Sequence, residues 1–510
     1  MDVSIRSLDV LVVAVYLLAM AGMGLYFARR NRNTEEYFVG GRSLRGWVVG
    51  ISMLSTSISS ITFLAFPAAA FVLDWRQLVS NLMLPFVAVL AVLLFVPLFR
   101  RGRLTSAFEY LGERFGPAAR LYGALSFILL QLIRLATVLF LLAIPVTMLT
   151  GLPMELVIIA VGLFVAFYTV AGGIEAVIWT DVVQAFVLWF GGIGCALFIA
   201  FQVPGGLGGI IDIGIAHNKF GIGSLEWNFG ERTFWTVVLL GIFHWLAMYS
   251  SDQTFVQRYV ASSSQREAQK ATILYSVLAV PTWTFFFFLG TCLFAYYTLY
   301  PSTTVSGMEA DEVFPYFILT EIPAGLAGLV LAGVIAAAMS SLDSSINSIA
   351  TVAIVDLFKP YLAPGREDRY YLTAARLLST VAAAVMIGGA LVFTHMEKES
   401  MNDINWMVSS IFGGCLMGLF LIGFFTRRVD NRAVLIALAV AIPINIYLGM
   451  STAGWLPSWL SLQVHAYWVG AFVNVVFIAF AYIASIALRN PRGDLSGLTI
   501  WTMRERAPVS

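Results

Sequence analysis

Thirteen stretches of about twenty apolar residues recur along this chain, at roughly 8–28, 46–73, 77–98, 121–149, 152–170, 177–202, 232–255, 270–298, 321–356, 372–394, 404–425, 433–450 and 465–488. A helix of about 20 residues crosses the ~30 Å of bilayer hydrocarbon, and no water there satisfies a loose backbone. The chain is therefore expected to fold as an all-α polytopic membrane protein. Composition agrees, because 59% of the 510 residues are hydrophobic and 12% charged, too few charges to cover a water-soluble protein of this length. Met1 to Leu8 carries only Arg6 against Asp2, so the first stretch reads as a retained helix rather than a signal peptide.

The basic residues are distributed unevenly between alternate loops. With the N-terminus outside and the C-terminus in the cytoplasm, 24 of the 30 Lys and Arg fall on cytoplasmic segments, among them Arg258 in the segment that also holds Arg266 and Lys270. The external side receives Arg6, Arg76, Lys219, Arg232 and Lys398, and Arg134 alone is left inside a span. This split supports the odd number of spans. The net charge of +1 gives no reason to expect a nucleic-acid partner. Cys195, Cys292 and Cys415 all lie within spans, and His217, His244, His395 and His465 are scattered, so neither a disulfide framework, a zinc site nor an enzyme is expected. The longer loops, 203–231 and 299–320, are expected to cap the external side of a single membrane domain.

Two spans are expected to be broken. Ser55, Thr56, Ser57, Ser59, Ser60 and Thr62 put six hydroxyls into eight positions of the stretch 46–73. Hydroxyls and loosened backbone at membrane depth are tolerated where they line a cavity. Bonding back to helix carbonyls, or close helix packing, is the alternative. A second interruption is read near Tyr249-Ser250-Ser251-Asp252-Gln253, five helices later. Paired breaks in two halves are the mark of an inverted-repeat transporter with its site between them. The core would comprise 46–202 and 232–425, preceded by an extra helix within 1–45 and followed by two within 433–488.

Buried polar groups point to cargo. Ser340, Ser341, Asp343, Ser344 and Asn347 recur at helical spacing in the stretch 321–356, so one face presents several oxygens. A small-residue packing stripe fits the same pattern. Asp181 and Asp343 each need a cation, a proton or water at membrane depth; Asp181 as a solvated helix-end residue is the bland alternative. Arg134, flanked by Gln131-Leu132-Ile133 and Leu135-Ala136, requires an anion, either a solute carboxylate held through two parallel hydrogen bonds or an internal partner such as Asp181 or Asp343.

The runs Tyr37-Phe38-Val39-Gly40-Gly41-Arg42, Ala171-Gly172-Gly173-Ile174-Glu175-Ala176-Val177-Ile178-Trp179-Thr180-Asp181, Asp252-Gln253 with Val256-Gln257-Arg258, and Ala336-Ala337-Ala338-Met339-Ser340-Ser341 resemble the sodium:solute symporter family, which has the leucine-transporter fold. Ser59-Ser60-Ile61-Thr62-Phe63 with Asp74-Trp75 is most similar to its bacterial sialic acid symporters. The resemblance implies a 5+5 inverted-repeat core and import of a small acidic solute with sodium by alternating access. It implies a first Na⁺ held by the carbonyls of Ser55, Ile58 and Ala337 and the hydroxyls of Ser340 and Ser341. A second would lie among Ser57, Asp181, Ser340, Asp343 and Ser344, although those relatives carry serine where this chain has Asp343, which leaves open whether sodium or a proton occupies that place. Arg134 would hold the solute carboxylate, with Ser59, Ser60, Thr62 and Asn81 around it and Tyr249 as an inner gate. Sodium-sugar members carry a glutamate at the position of Asn81, which argues against a neutral hexose. The reading is a sodium-coupled importer of sialic acid or a similar acidic sugar, working as a monomer in a bacterial inner membrane. A symporter of another monocarboxylate or of a neutral sugar or polyol, a non-transporting sensor on the same fold, and an ion channel or passive pore are the alternatives.

Overall fold

The structure is a computed structural model that describes residues 6–102, 104–228, 231, 233–395, 413–462, 467–488 and 495–503. Among these residues the chain is helical throughout, its only extended pairing being a single bridge between Leu44 and Ser262. Ten helices are long and apolar enough to cross a membrane, or eleven if the bent pair Gly46–Ser57 and Thr62–Val72 is one span. The first part of the expected span 404–425 lies outside the described residues, as do Arg103, Arg232, Lys398, Arg489, Arg492, Arg504 and Arg506 of the charge count. His465 does also.

The first break forms where the hydroxyls crowd. The helix Gly46–Ser57 ends at Ile58, whose backbone is extended (φ −97°, ψ 116°), and the two halves meet at 65°. The second forms at Asp252, also extended, between Phe234–Ser251 and Gln253–Ala261. Asp252 caps the following half-helix by accepting from the Thr254 amide at 2.7 Å, as a helix N-terminus with unpaired amides requires. The expected span 232–255 thus stops at Ser251.

Two expectations change in detail. The stretches 152–170 and 177–202 are not separated by a loop: helical backbone runs over Met154–Gln202 and is kinked at Gly173, with φ 62° and ψ −169°. A β-carbon there would meet Tyr37 Cδ2 at 2.9 Å and Asn31 Nδ2 at 3.0 Å, so both conformation and space demand glycine. The stretch 321–356 begins its helix only at Leu326, after Gly325 at φ 90°. Asp9, on the first helix Ser7–Ala28, accepts from the Gly325 and Gly328 amides at 2.7 and 2.8 Å and so caps it from another element. The loops 203–231 and 299–320 contain the helices Gly206–Ala216 and Ala310–Thr320.

The helix Leu326–Val352 is the centre of the molecule. From Ala327 to Val352 every residue except Leu329 is buried, which small side chains permit. At Gly191, on the facing helix, a β-carbon would lie 2.9 Å from the Leu329 carbonyl oxygen and 3.1 Å from Val330 Cα. Such close backbone approach is how membrane helices gain packing energy when lipid supplies no hydrophobic drive.

Candidate functional site

The first break brings carbonyls of Gly46–Ser57 against the small-residue face of Leu326–Val352. The Ser340 hydroxyl lies 2.9 Å from the Ser55 carbonyl, 3.4 Å from that of Ile58 and 3.1 Å from that of Ala337. The Ser341 hydroxyl reaches the Thr56 and Ile58 carbonyls at 3.2 and 3.5 Å. Five neutral oxygens expected around one ion, those of Ser55, Ile58, Ala337, Ser340 and Ser341, therefore gather at one point. A hard monovalent cation with little hydration is what a cluster of carbonyl and hydroxyl oxygens suits.

The charges deeper in the bundle are arranged differently from the sequence reading. Arg258 is not on a cytoplasmic loop: it is fully buried on the half-helix Gln253–Ala261. Its Nη2 donates to Asp181 Oδ2 at 2.8 Å, to Thr56 Oγ1 at 2.6 Å and to Ser344 Oγ at 2.7 Å. Nε donates to Ser52 Oγ at 2.9 Å and Nη1 to the Thr254 carbonyl at 2.8 Å. Asp181 is likewise wholly buried, so it is not a solvated helix-end residue; its Oδ2 also accepts from Ser52 at 2.5 Å, while Oδ1 has no partner. Asp343 accepts from Tyr168 Oη at 2.9 Å and from Ser344 Oγ at 3.4 Å.

Of the set expected around a second ion, Asp181, Asp343 and Ser344 converge. The Ser57 hydroxyl instead donates to the Leu54 carbonyl at 2.7 Å, and Ser340 is spent on the first cluster. Ser52, Thr56 and Tyr168 were not anticipated. Arg258 was misplaced because a cation near a span end is counted as loop by default. The available signal was its position six residues beyond the second break, in the short run 253–261 that follows it.

Arg134 has a different environment. It lines a cavity of about 340 Å³ together with Ser57, Ser59 and Thr62 of the broken helix and Asn81 of the next. No described carboxylate comes within the 4.0 Å of an ion pair with it. The internal alternatives are thus accounted for, Asp181 by Arg258 and Asp343 by Tyr168 and Ser344. Gln131, His244 and Asp252 form the wall on either side, and Gly470, Ala471 and Asn474 bring the last helix into it. Ser60 lies outside this wall, its hydroxyl donating to the Val138 carbonyl at 3.3 Å. The Asn81 side chain is buried with its Nδ2 unpartnered. Tyr249 stands behind the wall, packed edge-on against Phe255 and Tyr275 and sharing a 3.1 Å hydrogen bond with Ser276.

An oxygen cluster at a helix break, adjoining a cavity with an uncommitted guanidinium, suits coupled movement of a small cation and an anionic solute. Comparison with known proteins agrees. The family model for the sodium:solute symporter family matches residues 37–440. The sodium/sialic acid symporter NanT of Aliivibrio fischeri is 31% identical over 480 residues, covering 94% of this chain and 93% of that protein. The sodium/sialic acid symporter SiaT of Proteus mirabilis is 32% identical over 428 residues, covering 84% of this chain and 86% of that one. A solved substrate-bound, outward-open Na⁺-coupled sialic acid symporter superposes with a TM-score of 0.89 at 29% identity, over 96% of this chain and all of that one. The chain belongs to the sodium:solute symporter family, and is accordingly a sodium-coupled secondary membrane transporter rather than an enzyme.

Proposed function

We propose that the protein imports a small carboxylate-bearing solute, sialic acid or a similar acidic sugar, into the cytoplasm with sodium. The observation that carries this is Arg134, a guanidinium lining the cavity with no ion-pair partner among the described residues. A planar guanidinium matches a carboxylate through two parallel hydrogen bonds. Ser59, Thr62 and Asn81 offer hydroxyl and amide contacts beside it, and Ser60 backs the broken helix. The relatives' named substrate supports the same class.

The first sodium is assigned to the carbonyls of Ser55, Ile58 and Ala337 and the hydroxyls of Ser340 and Ser341. A second monovalent cation is assigned to the unpartnered Oδ1 of Asp181 with Asp343 and Ser344. Charge supports it: with both carboxylates ionised, Asp181 and Asp343 facing one Arg258 leave one negative charge in excess, which at membrane depth costs at least ~2.5 kcal/mol and which a monovalent cation would offset. Binding of the first ion draws the broken helix onto Leu326–Val352 and shapes the solute site; by linkage, solute raises sodium affinity by the same factor. Tyr249 acts as inner gate.

Thirteen spans, ten of them in a 5+5 inverted-repeat core with one before it and two after, and with the N-terminus outside and the C-terminus in the cytoplasm, complete the reading. The helical run Met154–Gln202 supports it, because 49 residues at 1.5 Å each would be more than twice the ~30 Å of hydrocarbon unless the kink at Gly173 divides the run into two spans. Leu416–Phe425 is the described end of another. The protein works as a monomer in a bacterial inner membrane. Uptake of labelled N-acetylneuraminate into proteoliposomes, driven by an inward sodium gradient and absent in potassium, is the expected result. Sodium-driven uptake of glucose or lactate in its place would overturn the substrate assignment.

A further inference from the structure

We propose that Asp252 is the second pole of the solute site. Its Oδ2 accepts a hydrogen bond from a hydroxyl, amide N–H or ammonium of a solute whose carboxylate is held by Arg134, so the cavity favours acidic solutes bearing such a donor over simple carboxylates. The inference rests on reading Arg134 as the carboxylate anchor.

The two oxygens of Asp252 have different employment. Oδ1 is occupied by the amide and the hydroxyl of Thr254. Oδ2 meets only Gln131 Nε2, at 3.5 Å, the outer edge of a hydrogen bond. A carboxylate has about four lone-pair sites, so most of the acceptor capacity of Oδ2 is unspent. Capping alone would be served equally by Ser or Asn, and does not account for a full negative charge here.

Asp252 also lines the same cavity as Arg134, and no ion pair closes between the two. Opposite charges held apart across a cavity fit a solute that spans them. A carboxylate with no donor would reach Arg134 but meet the like charge of Asp252 uncompensated. One with a suitably placed donor turns that repulsion into a charge-assisted hydrogen bond. Asn81, only 8% exposed and with an unpartnered Nδ2 on the same wall, supplies a further directed polar contact.

The test is equilibrium binding to the purified full chain in lipid nanodiscs with sodium, using N-acetylneuraminate, rich in donors, and pyruvate, which has none. Asp252→Asn keeps a capping oxygen and replaces the Oδ2 acceptor by a donor; Asp252→Ser keeps the cap and removes the second oxygen. Using two cap-competent variants guards against a folding defect in either. Affinity for N-acetylneuraminate is expected to fall about tenfold or more in both, while pyruvate binding is unchanged or tighter. Wild-type N-acetylneuraminate affinity in both variants, or equal losses for the two solutes, overturns the inference and leaves the Arg134 reading intact. Retained binding in Arg134→Ala overturns that reading instead, and a wild-type protein that binds neither solute overturns both.

Discussion

Arg134 and Arg258 both lie within helices of the bundle, but among the described residues Arg258 is saturated by the protein and Arg134 is not. Arg134→Ala is expected to weaken binding of an acidic solute by at least about 2 kcal/mol, some thirtyfold, while sodium-dependent thermal stabilisation persists. Arg134→Lys should rescue poorly, because an ammonium lacks the paired donors; isothermal titration of both variants would measure this. Ser341→Ala removes one of the five oxygens assigned to the first ion. The half-saturating sodium concentration for uptake should rise several-fold or more, since a lost buried polar partner costs about 1–3 kcal/mol. An unchanged sodium dependence would place the ion elsewhere. The spacing of Ser340, Ser341 and Ser344 made an oxygen-rich face legible from the sequence, because helical periodicity alone decides which residues share a face. The Arg258–Asp181 pair was not legible, since its members are 77 residues apart and no periodicity links them. Nor could composition separate Arg258 from the neighbouring Arg266, which lies on the following helix Gln265–Leu299.

At the scale of elements, the breaks were readable because hydroxyl runs and an Asp-Gln pair have no place in an uninterrupted lipid-facing helix. The kink at Gly173 was less so: Gly172-Gly173 in sequence is compatible with a loop or with a kink inside a helical run, and it is the structure that shows the latter, with Tyr37 and Asn31 crowding the position. The cap that Asp9 provides had no sequence signal at all, because Gly325, at the start of the helix it caps, lies 316 residues later. Asp9 is 1% exposed, and Arg6 lies 3.3 Å from its Oδ2. Asp9→Ala leaves the Gly325 and Gly328 amides without this acceptor and should lower stability by about 1–3 kcal/mol. Asp9→Asn, which keeps one oxygen, should lose less. Thermal unfolding in detergent would rank the two. An equal loss in both would assign the effect to charge rather than capping.

For the whole molecule, the number of ions decides the electrical character of transport. Two sodium ions with a monoanionic solute carry one net positive charge inward, and one sodium carries none. Uptake of N-acetylneuraminate should therefore respond to membrane potential in the wild type. Asp343→Ser should retain transport with weakened ion affinity, whereas Asp181→Ala should impair it far more, because it also leaves Arg258 unpaired in the bundle. Potential-independent uptake would leave a single ion and return Asp343 to a structural or proton-bearing part. The buried pair also has a bearing on biogenesis. Asp181 is synthesised 77 residues ahead of Arg258, an interval of roughly 4–15 s at ribosomal rates of about 5–20 residues per second. A nascent chain must therefore harbour that carboxylate near the translocation machinery, without its guanidinium, until the second half of the protein emerges.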